Sequence, residues 1–302
     1  MKNYPTVFII CGVHNHLEYT KKLLTSITDQ KYKKYQVLFV DDGSTDGTTD
    51  FIQKRYAQKV NLIKDDGNLW WTGCIAKGVD VTLKIANRDD FILIINNDCI
   101  FESNYLDNLV QLAEHHPRTV IGSLIVDLKD KSTIVDGGVK IDWSTGKFIR
   151  RAPKSIKYLS EAKRIESDIN TLSTKGTLYP IEVFQNIGNF DQKHLPHYIS
   201  DYEFACRAKK AGYPLLISYD AIVYNIPRNT GFGEQIPQEL SYRQLKDLLF
   251  NRRSRINIID HLWFITLCCP TRYRLKNYFI LILKTLYLIS LTYPLNILRK
   301  NF

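Results

Sequence analysis

The feature that most constrains this chain is the alternation, in its first hundred residues, of short apolar runs with amphipathic segments. The runs are TVFIICGV, YQVLFV, VNLIKDD and FILIINND, and the segments between them are LEYTKKLLTSITDQ, TDFIQKRYA and TGCIAKGVDVTLKIAN. Continuous apolar runs are typical of strands that are covered on both faces. Strands at this spacing predict βαβ units and a parallel sheet, whose right-handed crossovers bring the strand ends to one edge.

The later part of the chain has a less regular pattern. Between residues 119 and 174 the stretches DGGVKIDW and WSTG indicate hairpins. A loop then leads into a helix that stops at Gly212, and YPLLISYDAIVYN indicates one or two further strands. From Ser241 onward a basic helix and then a strongly apolar helix are expected. We therefore predict an α/β domain over residues 1–240 and a helical extension over residues 241–302.

The net charge of +10 lies almost entirely in that extension, because its 62 residues hold 11 Lys and Arg against 2 Asp. The first 240 residues are nearly neutral, which argues against a nucleic-acid-binding surface across the chain. The six cysteines form no CxxC pair, so buried thiols in a reducing cytosol are favoured over disulfides or zinc. No signal-peptide pattern follows Met1, and we expect a cytoplasmic protein.

Polar clusters follow two of the predicted strands. In VDDGSTDGT, the carboxylates of Asp41 and Asp42 can accept hydrogen bonds from a base or a ribose, or they can belong to a capped turn. In FILIINNDCIF, the Asn96–Asp98 triplet ends a buried strand. There an aspartate can hold a divalent cation whose other ligands come from a diphosphate, although a plain turn is the alternative.

Two further motifs are candidate site segments. In GNLWWTGCIAKGV the glycines allow a close backbone approach, and the Trp70 and Trp71 rings either belong to the core or wall a ligand pocket. No GxGxxG or GxxxxGK motif occurs in the chain. In LPHYISDYEFACRAKKAG, Asp201 lies at the start of a helix, where it is either an N-cap or a general base.

Together these motifs resemble those of the family 2 glycosyltransferases of the GT-A fold. The resemblance extends over roughly Tyr4 to Asn229, and its most specific parts are VDDGSTDGT and the DYEF…RAKKAGY segment. The WW pair and the HY that precedes Asp201 resemble the branch that builds bacterial surface polysaccharides, which includes rhamnosyltransferases.

The resemblance implies a role for each matching position. Asp41 and Asp42 match a pair that contacts the nucleoside, Asp98 matches the last aspartate of the metal motif, and Asp201 matches the catalytic base. Asn96 stands where the first metal aspartate is expected, and Asn225 stands near the place where some members carry a histidine. The predicted nucleotide-sugar-binding residues are Asp41, Asp42, Asn68, Trp71, Asn96 and Asn97.

The implied reaction is an inverting transfer of a sugar from a UDP- or dTDP-sugar to a glycan or lipid-linked acceptor, with Mg²⁺ or Mn²⁺ stabilising the leaving diphosphate. The alternative is a catalytically silent nucleotide-sugar-binding or scaffold subunit of a polysaccharide assembly complex. Asn96 favours this alternative, and Asp201 argues against it. A nucleotidyltransferase ranks lower, because its glycine-rich first loop with a following Arg is absent.

The extension contains an apolar stretch of 20 residues, Phe279 to Leu298, which is interrupted by Lys284 and Pro294. Arginines and aromatic residues precede it. We expect this tail to lie in the cytoplasmic membrane interface, which makes the protein peripheral on the inner face of the cell membrane. A true span, or packing on the core or on a second subunit of a homo-oligomer, are the alternatives.

Overall fold

A ten-stranded sheet lies at the centre of the computed structural model, which describes residues 4–159, 164–226 and 240–292. Its strands, with the separate β8–β9 hairpin, are β1 Val7–Val13, β2 Tyr35–Asp42, β3 Val60–Asp65, β4 Phe91–Ile94, β5 Cys99–Ile100, β6 Val120–Asp127, β7 Ile134–Asp136, β8 Val139–Asp142, β9 Lys147–Arg150, β10 Ile165–Glu166, β11 Thr177–Pro180 and β12 Leu215–Asn225.

The strand order is β10-β12-β6-β11-β4-β1-β2-β3, with β5 beside β12 and β7 beside β6. Strands β4, β1, β2 and β3 are parallel neighbours, and β6 is parallel to β12. Strand β11 runs antiparallel between β4 and β6 and joins the two parallel groups. The predicted parallel sheet of βαβ units is therefore confirmed for the first half of the chain.

Nine α-helices surround the sheet in the described residues. They are α1 Leu17–Thr28, α2 Thr48–Tyr56, α3 Trp70–Thr82, α4 Tyr105–His115, α5 Ile181–Ile187, α6 Ser200–Lys210, α7 Tyr242–Phe250, α8 Ile258–Cys268 and α9 Thr271–Thr292.

Both faces of the sheet are covered, as the continuous apolar runs predict. In β4, Ile92 and Ile94 belong to the core under α3, α5 and α6, whereas Leu93 belongs to the core under α1, α2 and α4. The six cysteines are all buried and unpaired, which confirms the prediction of buried thiols.

Strand β6 lies in the region for which the sequence predicted only hairpins. Its sequence, VIGSLIVD, contains Gly122 and Ser123, which weaken the strand pattern. A Cβ atom at Gly122 would come within 2.7 Å of the Ile217 side chain on β12. The small residue is required by the neighbouring strand, which a local pattern does not reveal.

The extension packs back onto the α/β body. Phe264 and Cys268 of α8 are buried against Cys206 of α6 and against the β8–β9 hairpin. Helix α9 contacts the same hairpin, where the Asn277 side-chain amide donates to the Trp143 carbonyl at 2.8 Å. Within the described residues, no helix has the length and apolar character that a membrane span requires. Asn229, where the family resemblance ends, and Pro294, which interrupts the apolar stretch of the extension, lie outside the described residues.

Candidate active site

The loops that follow β1, β2, β3 and β4 meet at one edge of the sheet. The β1–α1 loop and the VDDGS turn are joined there, because the Asn15 backbone N–H donates to Ser44 Oγ at 2.7 Å. The two glycine turns also touch: a Cβ atom at Gly43 would lie 3.1 Å from the Gly67 Cα atom. The fold thus brings together the strand-end motifs that the sequence predicts at one edge.

The two aspartates of VDDGS are buried and bind backbone donors. Asp41 accepts from the Ser44 N–H at 3.0 Å and from the Thr49 hydroxyl. The two carboxylate oxygens of Asp42 accept from the N–H groups of Leu69 and Trp70 at 3.0 and 2.9 Å. Asp42 therefore caps the start of α3. Each carboxylate oxygen has a second lone pair available for another donor.

Asn68 lies on the exposed turn before α3. Its side-chain amide donates to Asp66 Oδ1 at 3.1 Å. The Trp71 ring is half-buried and packs edge-on against Phe190, and its indole N–H donates to Asn96 Oδ1 at 2.9 Å. Trp71 thus belongs partly to the core and also fixes the orientation of the Asn96 amide.

The other two residues of the triplet differ in their hydrogen bonding. Asn97 makes long contacts of 3.4 Å to the Asn15 carbonyl and to the Thr20 hydroxyl. The Asp98 backbone carbonyl accepts from Asn225 Nδ2 at 3.3 Å. In the described part of the chain, the half-buried Asp98 carboxylate makes just a weak contact with the Cys99 thiol at 3.6 Å. It is therefore the carboxylate here with the most free coordination capacity.

These residues fit a divalent cation that a bound diphosphate also ligates. No group of three or more His, Cys, Asp or Glu side chains that could hold a metal occurs in the described residues. The oxygens of Asn96 and Asn225 each already accept a hydrogen bond, from Trp71 and from Lys175 respectively. Asp98 supplies one hard oxygen ligand, and Mg²⁺ is commonly held by one or two carboxylates together with substrate phosphates.

Lys175 is a site residue that the sequence analysis did not identify. It precedes Gly176 and β11, and its Nζ donates to Asn225 Oδ1 at 3.0 Å. Burial raises the pKa values of both Cys99 and Asp201, and the positive charge of Lys175 partly opposes each increase. The Lys175 charge therefore acts on both the Asp98–Cys99 segment and Asp201. A single lysine before a glycine matches no motif, so the sequence did not indicate that Lys175 belongs to the site.

Asp201 is the second residue of α6, and Ile199 is the N-cap with a left-handed φ of 61°. Asp201 Oδ1 accepts from the N–H of the next residue, Tyr202, at 2.9 Å. The pKa of Asp201 is raised to about 6, mainly by burial and further by the Asp136 carboxylate. Asp201 is thus not the N-cap of this helix, and it has the raised pKa that a general base requires.

The loop before α6 is fastened to the start of α3. The Thr72 N–H donates to the Pro196 carbonyl at 3.1 Å, and the Thr72 hydroxyl bonds to Ser200 Oγ at 2.8 Å. These bonds hold Asp201 close to the segment that begins at Trp70.

Comparisons with known proteins identify the family and the fold. The model of the family described as glycosyl transferase family 2 matches residues 8–185. The chain is 26% identical over 225 residues to an N-acetylglucosaminyl-diphospho-decaprenol L-rhamnosyltransferase of Mycobacterium tuberculosis, which covers 69% of this chain and 71% of that protein.

Two solved structures share the fold. The mannosyltransferase PcManGT from Pyrobaculum calidifontis, in complex with GDP-Man and Mn²⁺, has a TM-score of 0.53 at 16% identity; the match covers 76% of this chain and 59% of that one. TarS 1–349 of S. aureus in complex with UDP has a TM-score of 0.56 at 16% identity, over 92% of this chain and 70% of that one.

Proposed function

The chain belongs to glycosyl transferase family 2, and on that premise we propose that it is an inverting glycosyltransferase of surface polysaccharide synthesis. It moves a sugar from a nucleotide-diphosphate donor to a hydroxyl of a glycan or lipid-linked acceptor. One observation carries the proposal: the hydrogen bonds from Thr72 to Pro196 and Ser200 hold Asp201 beside the start of α3 at the strand-end loops, and burial raises the pKa of Asp201 to about 6.

Asp201 acts as the general base. Its carboxylate takes the proton of the acceptor hydroxyl while that oxygen attacks the anomeric carbon from the face opposite the nucleotide. One carbon–oxygen bond forms as the bond to the diphosphate breaks, so the configuration inverts. A pKa of about 6 leaves the carboxylate ionised at neutral pH and makes it a better proton acceptor than an ordinary aspartate.

The strand-end loops bind the donor. Asp41 and Asp42 contact the nucleoside, and the other donor contacts come from Asn68, Trp71, Asn96 and Asn97. The donor is a hexosyl or deoxyhexosyl sugar carried on UDP or dTDP, and the L-rhamnosyltransferase relative supports the deoxyhexosyl choice.

Asp98 would hold Mg²⁺ or Mn²⁺ together with the donor diphosphate. When bound there, the cation would supply positive charge that stabilises the leaving group. Lys175, hydrogen-bonded to Asn225, supplies a second positive charge at the same edge of the sheet.

The extension brings the site to a lipid-linked acceptor by lying on the cytoplasmic membrane surface. One side of α9 exposes large apolar residues at helical spacing, namely Leu275, Phe279, Ile282, Leu283 and Leu286. Basic residues accompany this face, and apolar and basic side chains together are typical of helices that lie in a membrane interface.

A donor screen followed by a transfer assay tests the proposal. Thermal unfolding of the full chain is measured with UDP-, dTDP- and GDP-sugars, each with and without Mn²⁺. A ligand at ~100 times its dissociation constant stabilises the fold by roughly 2.7 kcal/mol, which is easily measured. The stabilising sugar is then tested for hydrolysis and for transfer to a lipid-linked acceptor.

Binding together with slow donor hydrolysis is the expected result. Tight binding without hydrolysis or transfer would instead favour a silent nucleotide-sugar-binding subunit. The absence of any stabilising donor would contradict both functions.

A further inference from the structure

The turn between α7 and α8 places two arginines against the start of α3. The guanidinium carbons of Arg252 and Arg253 lie 5.9 and 5.8 Å from the centroid of the Trp70 ring. These three residues and Asn251 line an open cavity of about 550 Å³. Although the arginines belong to the basic extension, they face the α/β domain at this point.

Hydrogen bonds hold this turn in a fixed shape. The Arg253 N–H donates to Asn251 Oδ1 at 2.9 Å, and the Asn257 amide donates to the Asn251 carbonyl at 3.1 Å. The buried Ser254 hydroxyl donates to the Leu248 carbonyl. The two exposed guanidinium groups therefore extend from a turn whose shape is fixed by these hydrogen bonds.

Neither Arg252 nor Arg253 forms an ion pair within the described part of the chain. Burial raises the pKa of Asp260 to about 6, and the charge of Arg252 partly opposes that increase, so Asp260 offsets part of the Arg252 charge without a direct ion pair. His197 packs edge-on against Trp70, and its pKa is lowered to about 4 by burial and then by Arg253. The cluster therefore gains no negative charge from its neighbours on the α3 side.

This cluster lies beside the loop that leads into α6, because the Trp70 ring packs against His197, four residues before Asp201. The Thr72 hydroxyl, two residues after Trp70, bonds to Ser200, the residue before Asp201. The Trp71 ring, by contrast, turns toward Asn96 at the donor loops. Trp70 and the arginines thus lie between the extension and the loop that precedes Asp201, away from the Trp71–Asn96 contact.

We propose that Arg252 and Arg253, supported by the Trp70 ring, bind the diphosphate of a prenyl-diphosphate-linked acceptor. The inference rests on the proposed function and specifies its acceptor. Guanidinium groups bind phosphate oxygens with two parallel hydrogen bonds. The extension that contains the two arginines also contains the exposed apolar side of α9. The diphosphate and its lipid chain are therefore bound by one part of the chain.

Farnesyl diphosphate serves as the probe in titration calorimetry with the full chain. The test variant is Arg252→Gln with Arg253→Gln. The matched control, Arg243→Gln with Lys246→Gln, removes two exposed positive charges from α7. We expect the test variant to lose about tenfold or more in farnesyl diphosphate affinity, while the control variant binds like the unaltered chain.

A second arm separates the acceptor diphosphate from anionic lipid headgroups. Binding of all three proteins to phosphatidylglycerol vesicles is measured by co-sedimentation. The proposal expects the test and control variants to lose vesicle binding equally. The proposal is overturned if the unaltered chain does not bind farnesyl diphosphate, or if both variants lose farnesyl diphosphate binding equally. It is also overturned if the test variant loses vesicle binding but keeps its affinity for farnesyl diphosphate.

Binding of the nucleotide-sugar donor is measured in the same proteins. It should be the same in all three, since the arginines lie outside the donor loops. A chain that binds farnesyl diphosphate through the arginines but transfers no sugar would retain this inference and contradict the proposed function.

Discussion

Asp201 and Glu203 lie two residues apart on α6, yet their surroundings give them different tasks. Glu203 is buried and forms a two-bond ion pair with Arg207, at 2.8 and 3.0 Å. Arg207 also donates to the carbonyl of Ile187 at 2.6 Å. Glu203 is therefore held in a structural ion pair, whereas Asp201 accepts only backbone hydrogen bonds, from Tyr202 and Thr174, in the described residues and has a pKa that burial raises.

Asp201→Asn should lower transfer by ~10²–10⁴-fold, because the amide takes no proton from the acceptor hydroxyl. Donor affinity, measured by calorimetry, should stay unchanged. In the unaltered enzyme the rate should rise with pH through about 6, since the base acts in its ionised form. Near-normal turnover of the variant would show that Asp201 is not the base.

The same raised pKa predicts how stability depends on pH. The folded pKa of about 6 lies above the ordinary value of 3.8, so ionisation of Asp201 destabilises the fold as pH rises between these values. Asp201→Asn removes this destabilisation. Urea unfolding should therefore show the variant gaining stability relative to the unaltered chain between pH 4 and about 6.

Asp98→Ala should weaken nucleotide-sugar binding in the presence of Mn²⁺ and abolish the effect of the metal on that binding. The reason is that Asp98 supplies the carboxylate oxygen available for a cation. Asn96→Asp should tighten metal binding, because its oxygen can still accept from Trp71 while a charge is added. Calorimetry with and without Mn²⁺ measures both. If affinity is unchanged in Asp98→Ala, the triplet is simply a turn.

Lys175→Gln should slow transfer and make the remaining activity more dependent on Mn²⁺, because the metal is then the main positive charge near the leaving diphosphate. The glutamine can still donate a hydrogen bond to Asn225, so the local structure is retained. Lys129→Gln, an exposed change elsewhere, is the control. An unchanged metal dependence would place Lys175 outside the reaction.

At the scale of an element, the start of α3 depends on a side chain from a different strand. The N-cap residue Leu69 makes no side-chain cap bond, and Trp70 has a left-handed φ of 58°. The Asp42 carboxylate compensates by accepting from the N–H groups of both residues. Asp42 thus links the end of β2 to the helix that presents both tryptophans.

Asp42→Ala should lower the free energy of unfolding by about 1–2 kcal/mol, the usual effect of losing a helix cap. Urea unfolding measures the change. Asp66→Ala provides the comparison, because Asp66 is exposed on the neighbouring turn and bonds to the Asn68 amide. Equal effects of the two changes would contradict the capping role of Asp42.

At the scale of the whole molecule, the extension is part of the folded body and also exposes an apolar surface. Helix α8 buries Phe264 beside α6, so a chain that ends near Leu240 would expose part of the core. Membrane binding is therefore better tested by substitutions on the exposed side of α9 than by truncation.

Leu275→Ser, Phe279→Ser and Leu286→Ser together should reduce vesicle binding by ~10²-fold or more, since each buried apolar side chain contributes about 1.5–3 kcal/mol. The thermal midpoint should change little, because these side chains are 56–83% exposed. The control variant replaces three other exposed residues, Ile85, Val135 and Tyr158, by serine. Unchanged co-sedimentation of the α9 variant would contradict a membrane-binding face.

The sequence by itself determined the parallel half of the sheet, the grouping of strand-end motifs at one edge and the start of a helix at Asp201. These features follow from local patterns. A continuous apolar run indicates a strand that is buried on both faces, and the helical spacing of apolar residues is evident within a single segment. The match of VDDGSTDGT and the DYEF segment to a known family also depends on contiguous residues, and the family is confirmed.

The tertiary structure alone decided which side chains meet across the chain. Lys175 reaches Asn225 over a separation of 50 residues, and Arg252 reaches Trp70 from the far end of the chain. It also decided that Asp42 caps α3 and that α8 packs on α6. The periodicity of apolar residues in the sequence does not predict such pairs. Each pair depends on where separate elements pack in space, and not on the residues that are adjacent in sequence.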